Sequence, residues 1–290
     1  AEMTNAVTGK VRTLDLDDDG LVDRLYAADL GGRVWRLDVH NPSEEGDYFH
    51  VTGGVMASLG GAESAQSADN RRFYYAPDIA LGTAGGRNFF NLTIASGYRA
   101  HPKDGSIQDY FYVLRDYYPF SELGLSENAA AEYVGLYGYT HDDLADIATL
   151  QSNPETLVAG FKMPLATASG EKVLAETRIF QNNAIFTSYL PQNELTRGCF
   201  ASLGSGQLYS VNLGTGDLDV DALDRPGIPP EVVYIFTEDD NVGVEPTTCF
   251  GKQCVNTEEE PLEEWADGEG EDEEDEDARI SRAEISLLAI

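Results

Sequence analysis

Residues 15–23 read DLDDDGLVD, five aspartates and one glycine in nine positions. Carboxylates this close repel one another unless a positive charge sits among them. With Asp15 as position 1, Asp17, Asp19 and Asp23 fall at positions 3, 5 and 9. Leu21 at position 7 can offer its backbone carbonyl, and Gly20 at position 6 permits a sharp turn. This spacing wraps hard oxygen ligands around one Ca²⁺, as in the loop of an EF-hand. An all-oxygen set suits calcium better than zinc. The match has a limit: position 12 is Tyr26 rather than a bidentate Glu, and the following RLYAADL is strand-like. The expectation is a helix-free calcium loop with Asp15, Asp17, Asp19, Leu21 and Asp23 as ligands, completed by water, with Asp18 turned to solvent. The competing reading is an acidic turn that holds no ion.

Such a loop needs rigid flanks, and the surrounding pattern supplies strands. RLYAADLGGRVWRLDV (24–39) reads as strand, Gly-Gly turn, strand. NFFNLTIASGY (88–98) pairs naturally with DYFYVLRDY (109–117). EKVLAETRIFQNNAIFTSYLP (171–191) gives two strands around an Asn-Asn turn. GQLYSVNLGTGDLDV (206–220) gives another hairpin, and PPEVVYIFTED (229–239) one more strand. The stretch 41–71, rich in Gly, Ser and Ala, reads as a long loop. Residues 121–155 are enriched in Ala, Glu and Leu, and DDLADIATL has an aspartate-capped start, which predicts a short helical insertion. LYAADLGGRVWRLD and LYSVNLGTGDLD form a partial repeat. Repeated antiparallel units suit a β-propeller, although a β-sandwich makes the same hairpins. The expected fold class is all-β over residues 1–256, with a short helical insertion and an acidic tail.

The chain has 290 residues, 15 Tyr, 12 Phe and a net charge of −32 from 51 acidic and 19 basic residues. Charge of that sign argues against a nucleic-acid partner, which needs a basic face, and is compatible with divalent cations. Residues 257–277 hold 14 acidic and no basic residues, so −18 remains without them (−32 + 14). That segment has little to bury and repels itself, so it is expected to be a solvated tract. Residues 278–290 alternate loosely and read as a closing strand. Cys249 and Cys254 in CFGKQC fit either a local disulfide or free thiols, with Cys199 left over; two cysteines without a histidine pair make no zinc site. No apolar run reaches the length of a membrane span, and the beginning AEMTNAVTG shows no leader, suggesting a piece of a longer chain.

Signatures of catalysis are lacking: no G-x-S-x-G elbow, H-E-x-x-H pair or phosphate-binding glycine loop occurs. His40, His50, His101 and His141 are scattered. No catalytic or cofactor-binding residue is assigned.

The stretch TLDLDDDGLVDRLYAADLGGRVWRLDV resembles the calcium loop and following blade of the PilY-type tip proteins of type IV pili. Asp15, Asp17, Asp19, Gly20, Asp23, Arg24, Tyr26, Asp29, Gly32, Trp35, Arg36 and Asp38 fit that pattern, and Ala28 replaces its usual Gly. IASGYRAHPKDGSIQDYFYVLRD, DDLADIAT, GEKVLAE, IFTSYLP, CFASLGSGQLYSVNLGTG and GIPPEVV resemble later landmarks in order, over about residues 10–256. The resemblance implies the C-terminal part of a modified β-propeller over residues 1–256, and a non-enzymatic, Ca²⁺-dependent role in pilus biogenesis, extension against retraction, twitching motility, surface attachment and mechanosensing. It also implies minor pilins at the pilus tip and a host or abiotic surface as partners. The implied location is the extracellular pilus tip, reached by export through the periplasm. Tyr26 and Trp35 are expected in the propeller core, and GYRAHP (97–102) in a turn between blades, from which Arg99 and His101 can touch a partner. Two rivals stand beside this reading: a quinoprotein-like propeller dehydrogenase, since LYAADLGGRVWRLD also resembles the repeat of those enzymes, and a purely structural surface propeller.

Overall fold

The computed structural model describes residues 3–40, 49–60, 68–120, 138–154, 158–165, 170–191, 203–239, 243–250 and 253–256. The acidic segment 257–277 and the predicted closing strand 278–290 lie outside them, as do Cys199 and residues 121–137 of the predicted insertion.

Four open sheets make up the described chain. β1 (Arg12–Leu14), β2 (Arg24–Ala28), β3 (Arg33–His40) and β4 (His50–Ser58) form an antiparallel meander. β5 (Asp78–Ala84), β6 (Arg87–Ala95) and β7 (Tyr110–Asp116) begin a second sheet. The chain then makes β8 (Tyr139–Thr140), parallel to β4, a 3-10 turn at His141–Asp143, β9 (Ala145–Asp146) and helix α1 (Ile147–Ser152). β10 (Gly160–Pro164) returns to the second sheet between β7 and β9. β11 (Lys172–Val173), β12 (Arg178–Phe180), β13 (Asn183–Leu190), β14 (Ser205–Asn212) and β15 (Leu218–Ala222) form the third sheet. β16 (Val232–Asp239), β17 (Gly243–Phe250) and β18 (Gln253–Asn256) form the fourth.

The first three sheets stack face to face like propeller blades, and the period-2 alternation of the middle one explains why. Along β7, Tyr112 and Leu114 point toward the first sheet, where they pack with Tyr26, Val34, Met56 and Phe73. Phe111 and Val113 point the other way and pack with Ala184, Phe186 and Tyr209 of the third sheet. Phe111 stacks on Phe186 at 4.7 Å, and Phe186 on Tyr209 at 5.0 Å. The middle blade therefore buries both faces, so β6 and β7 read as nearly continuous apolar runs.

Two tight hairpins rest on positive φ. Gly85 and Gly86 (φ +53° and +73°) join β5 to β6, and Gln181 and Asn182 (φ +45° and +61°) join β12 to β13. The second turn thus lies one residue before the Asn-Asn pair that the sequence suggests, because Asn183 already pairs with Phe180.

Other expectations change. Part of the supposed loop 41–71 is the nine-residue strand β4. Gly53 is required by proximity: a Cβ there would stand 2.2 Å from the Arg36 carbonyl oxygen, at φ +144°. The segment GYRAHP does not join blades. It belongs to the connection between β6 and β7 within the second sheet. Tyr26 and Trp35 are core residues, as expected. In the fourth sheet Cys249 is disulfide-bonded, and the register sets it directly opposite Cys254. No described helix is long and apolar enough to cross a membrane.

Candidate metal centre

The aspartate loop connects β1 to β2, and the hairpin holds both ends. Asp23 N–H donates to the Leu14 carbonyl (2.9 Å), and the Asp23 carbonyl accepts from Val39 N–H (2.7 Å). Asp18 (φ +61°) and Gly20 (φ +86°) make the reversal. A Cβ on Gly20 would meet nothing within 4 Å, so glycine is favoured there by its backbone conformation rather than by space.

Asp15, Asp17 and Asp19 each bring a carboxylate oxygen within 4.8 Å of the other two. The loop folds around these carboxylates. Asp15 Oδ2 accepts from Gly20 N–H (2.8 Å), Asp19 Oδ1 from Leu21 N–H (2.7 Å) and Asp17 Oδ1 from Asp19 N–H (3.3 Å). Asp15 Oδ1 is shielded from solvent and has no hydrogen-bond partner. A shielded carboxylate oxygen left in that state is costly unless a cation faces it. The Asp17 carboxyl is pushed up from its ordinary value by desolvation, with the Asp19, Asp23 and Asp15 charges adding to the effect and the Asp19 N–H opposing it. The donor set is hard, anionic and clustered, which fits Ca²⁺.

Asp23 has a second contact of its own at this loop. Its Oδ2 accepts from Leu16 N–H at 2.6 Å, so this carboxylate ties the neck of the loop, and it is not one of the three clustered carboxylates. Asp18 is exposed, as expected, and the Leu21 side chain is exposed as well.

Directly after Asp23 begins a buried charge lattice built from the remaining motif residues. Arg24 Nε donates to Asp38 Oδ1 (2.7 Å), and Arg24 Nη1 to the carbonyls of Tyr118 (3.0 Å) and Pro119 (2.7 Å). Arg36 reaches Asp38 through Nε (3.1 Å) and Nη2 (2.9 Å), and Asp116 through Nη1. The Tyr26 hydroxyl donates to Asp116. Burial and the Asp116 charge push that phenol well up, so it stays an O–H donor. Burial alone would raise the Asp38 carboxyl, but the Arg36 and Arg24 contacts outweigh it and hold the carboxyl low. Asp29 organises the turn above: it accepts from Gly31 N–H, Arg33 N–H and, at 2.9 Å, the Trp35 indole. The lattice is structural, and it gives the loop a rigid floor.

Sequence reasoning missed Asp116, which closes this lattice from the second sheet. The available signal was an aspartate ending the apolar run YFYVLRD. The histidines do not gather: His40 and His50 stack on each other across β3 and β4, His141 Nδ1 bonds the Tyr112 hydroxyl at 2.9 Å, and His101 sits in the β6–β7 connection.

No family model and no curated protein matches the sequence. Among solved structures, the crystal structure of the Pseudomonas aeruginosa PilY1 C-terminal domain matches with a TM-score of 0.57 at 16% identity, over 85% of this chain and 59% of that one. This chain therefore spans about six-tenths of that domain's length. What the two share at this identity is the fold: the chain has a PilY1-like, β-propeller-like, all-β architecture.

Proposed function

We propose that this chain is a calcium-binding, non-enzymatic module of a type IV pilus, acting in pilus biogenesis and in surface attachment and twitching motility at the pilus tip. The observation that carries the reading is the cluster of Asp15, Asp17 and Asp19 on a hairpin of a PilY1-like fold. Asp15, Asp17 and Asp19 supply carboxylate oxygens to the ion and Leu21 its carbonyl. Asp23 acts mainly by bracing the loop neck. Minor pilins and an outer surface are the partners, and the location is extracellular, at the pilus tip.

Calcium titration by calorimetry tests the ion site, comparing wild type with Asp15→Asn, Asp17→Asn and Asp19→Asn. Binding heat in the wild type that disappears in the variants is the expected result; equal heats in all four proteins would remove the site. The pilus role is tested separately by replacing the chromosomal copy with Asp17→Asn and scoring twitching. Unchanged motility with a folded, calcium-free protein would reduce the ion to a structural staple.

A further inference from the structure

The connection between β6 and β7 is pinned at both ends. The Ser96 carbonyl accepts from Val173 N–H (3.2 Å), and a Cβ on Gly97 would stand 2.2 Å from the Val173 carbonyl oxygen. At the far end the Asp109 carbonyl accepts from Leu165 N–H (3.1 Å), and Ser96 Oγ donates to Asp109 Oδ1 (2.7 Å). Between these ends the connection rests on the segment that leads into β11: a Cβ on Gly170 would stand 2.8 Å from Gly105 Cα. The Lys172 ammonium joins the two segments there, donating to the carbonyls of Asp104 (2.8 Å) and Gly170.

Lys172 is fully buried, and these carbonyls use two of the three N–H groups of its ammonium. Asp109 is buried as well, and its Oδ2 is shielded with no hydrogen-bond partner. The charged groups facing the Asp109 carboxyl are Lys172 from β11, Arg71 from the segment before β5, and Asp104 from the connection itself. β6 contributes the uncharged Ser96. Arg71 is committed elsewhere, to the Gln108 and Leu59 carbonyls (both 3.0 Å) and to Asp69. Lys172 in turn faces Asp109 and Asp104, and the Asp104 carboxylate is occupied by Ser106 N–H at 2.9 Å. Lys172 is therefore the cation with an N–H to offer when Asp109 ionises. Burial delays that ionisation to about pH 6.

We propose that Lys172 is a proton-controlled clasp on the β6–β7 connection. While Asp109 is protonated, Lys172 ties the middle of the connection down through the Asp104 carbonyl. When Asp109 releases its proton to solvent, the new carboxylate competes for the ammonium. The contest favours Asp109, because a buried anion without a partner is costly, whereas the half-buried Asp104 can take water on its carbonyl instead. The pinned ends stay in place, so the turn around residues 98–106 is tight in acid and looser at neutral pH. The clasp lies outside the aspartate loop and does not depend on calcium.

The test is hydrogen–deuterium exchange of the full chain between pH 5 and 8, with each rate corrected for the intrinsic pH dependence of amide exchange. The reporters are the amides of His101 and Asp104, which bond to the Tyr98 and His101 carbonyls inside the turn. Their protection in wild type should fall about tenfold or more, with a midpoint near pH 6. The amides of β6 and β7 serve as the reference and should not change. Asp109→Asn should keep the turn protected across the whole range. Lys172→Gln should leave it poorly protected at every pH, and Asp109→Asn alone decides the matter if that variant does not fold. Flat protection in wild type, a pH dependence that survives Asp109→Asn, or an equal fall in the β6 and β7 amides overturns the proposal.

Discussion

Arg36 and Asp116 meet across two sheets: Nη1 of Arg36, from β3, lies 2.8 and 2.7 Å from the two carboxylate oxygens of Asp116, at the end of β7. Both side chains are fully shielded from solvent. A pair like this joins the first blade to the second at the end of the hairpin that carries the aspartate loop. Taking two charges out of water is expensive, and only the completeness of the lattice compensates. Tyr26, Asp38, Arg24 and the Tyr118 backbone N–H supply that completeness.

Removing one member should therefore be far more damaging than the worth of one surface ion pair. Asp116→Ala leaves the Arg36 guanidinium and the Tyr26 hydroxyl without this acceptor. A loss of about 3–5 kcal/mol in urea unfolding is expected. A loss below about 1 kcal/mol would mean that the lattice rearranges or admits water freely.

A second buried carboxyl should make stability depend on pH. Asp109 accepts from Ser96 Oγ at 2.7 Å, and its other oxygen is shielded and unpartnered. Burial pushes the carboxyl up to about 6 from 3.8, against the Ser96 hydrogen bond and the Lys172 and Arg71 charges. A folded-state value above the unfolded one contributes stability that is fully present below pH 3.8 and lost as pH rises through about 6. Asp109→Asn keeps a partner for Ser96 and removes the ionisation. Relative to wild type it should gain stability as pH rises from about 3 to about 8, by about 3 kcal/mol. Melting curves of both proteins across that range check it; a constant difference would show that Asp109 titrates normally.

Much of the fold was legible where the pattern had one dominant cause. The hairpin β2–β3, the pair β6–β7 and the hairpin β14–β15 announce themselves through apolar runs broken by glycine-bearing turns, and Asp146 does stand at the N-cap of α1. The aspartate spacing likewise located three clustered carboxylates. Spacing along a chain does not say which way a carboxylate turns, so the contact of Asp23 Oδ2 with Leu16 N–H was not legible in the motif. β4 was hidden because Gly53 serves a close approach of two backbones, and a glycine pair in composition looks like a loop. Asp116 was hidden because its partners lie 80 or more residues away in the chain.

That close approach makes Gly53→Ala a sharp test of β4. The methyl group would press on the Arg36 carbonyl and strain a backbone at φ +144°. Separation of β3 and β4 disturbs the strand that carries Arg36, so destabilisation above about 2 kcal/mol is expected. Gly86→Ala provides the comparison, since its Cβ meets nothing within 4 Å and only the positive φ is strained. If both substitutions cost the same, crowding at Gly53 has no role.

Calcium should stabilise the folded chain by mass action, because the carboxylate cluster exists only when the β1–β2 hairpin is formed. At a calcium concentration of about 100 times Kd the gain is about 2.7 kcal/mol. Thermal melting with calcium, with magnesium and with a chelator measures it. Calcium should raise Tm more than magnesium, whose small octahedral shell tolerates a flexible loop poorly. Asp17→Asn should melt close to chelated wild type whichever ion is present. It also relieves repulsion from Asp15 and Asp19, so without calcium it should be no less stable than wild type. Asp23→Asn should behave differently, lowering Tm even in chelator, because its carboxylate holds Leu16 N–H at the loop neck. Identical effects of Asp17→Asn and Asp23→Asn would contradict the division of the loop into ion-facing and bracing aspartates.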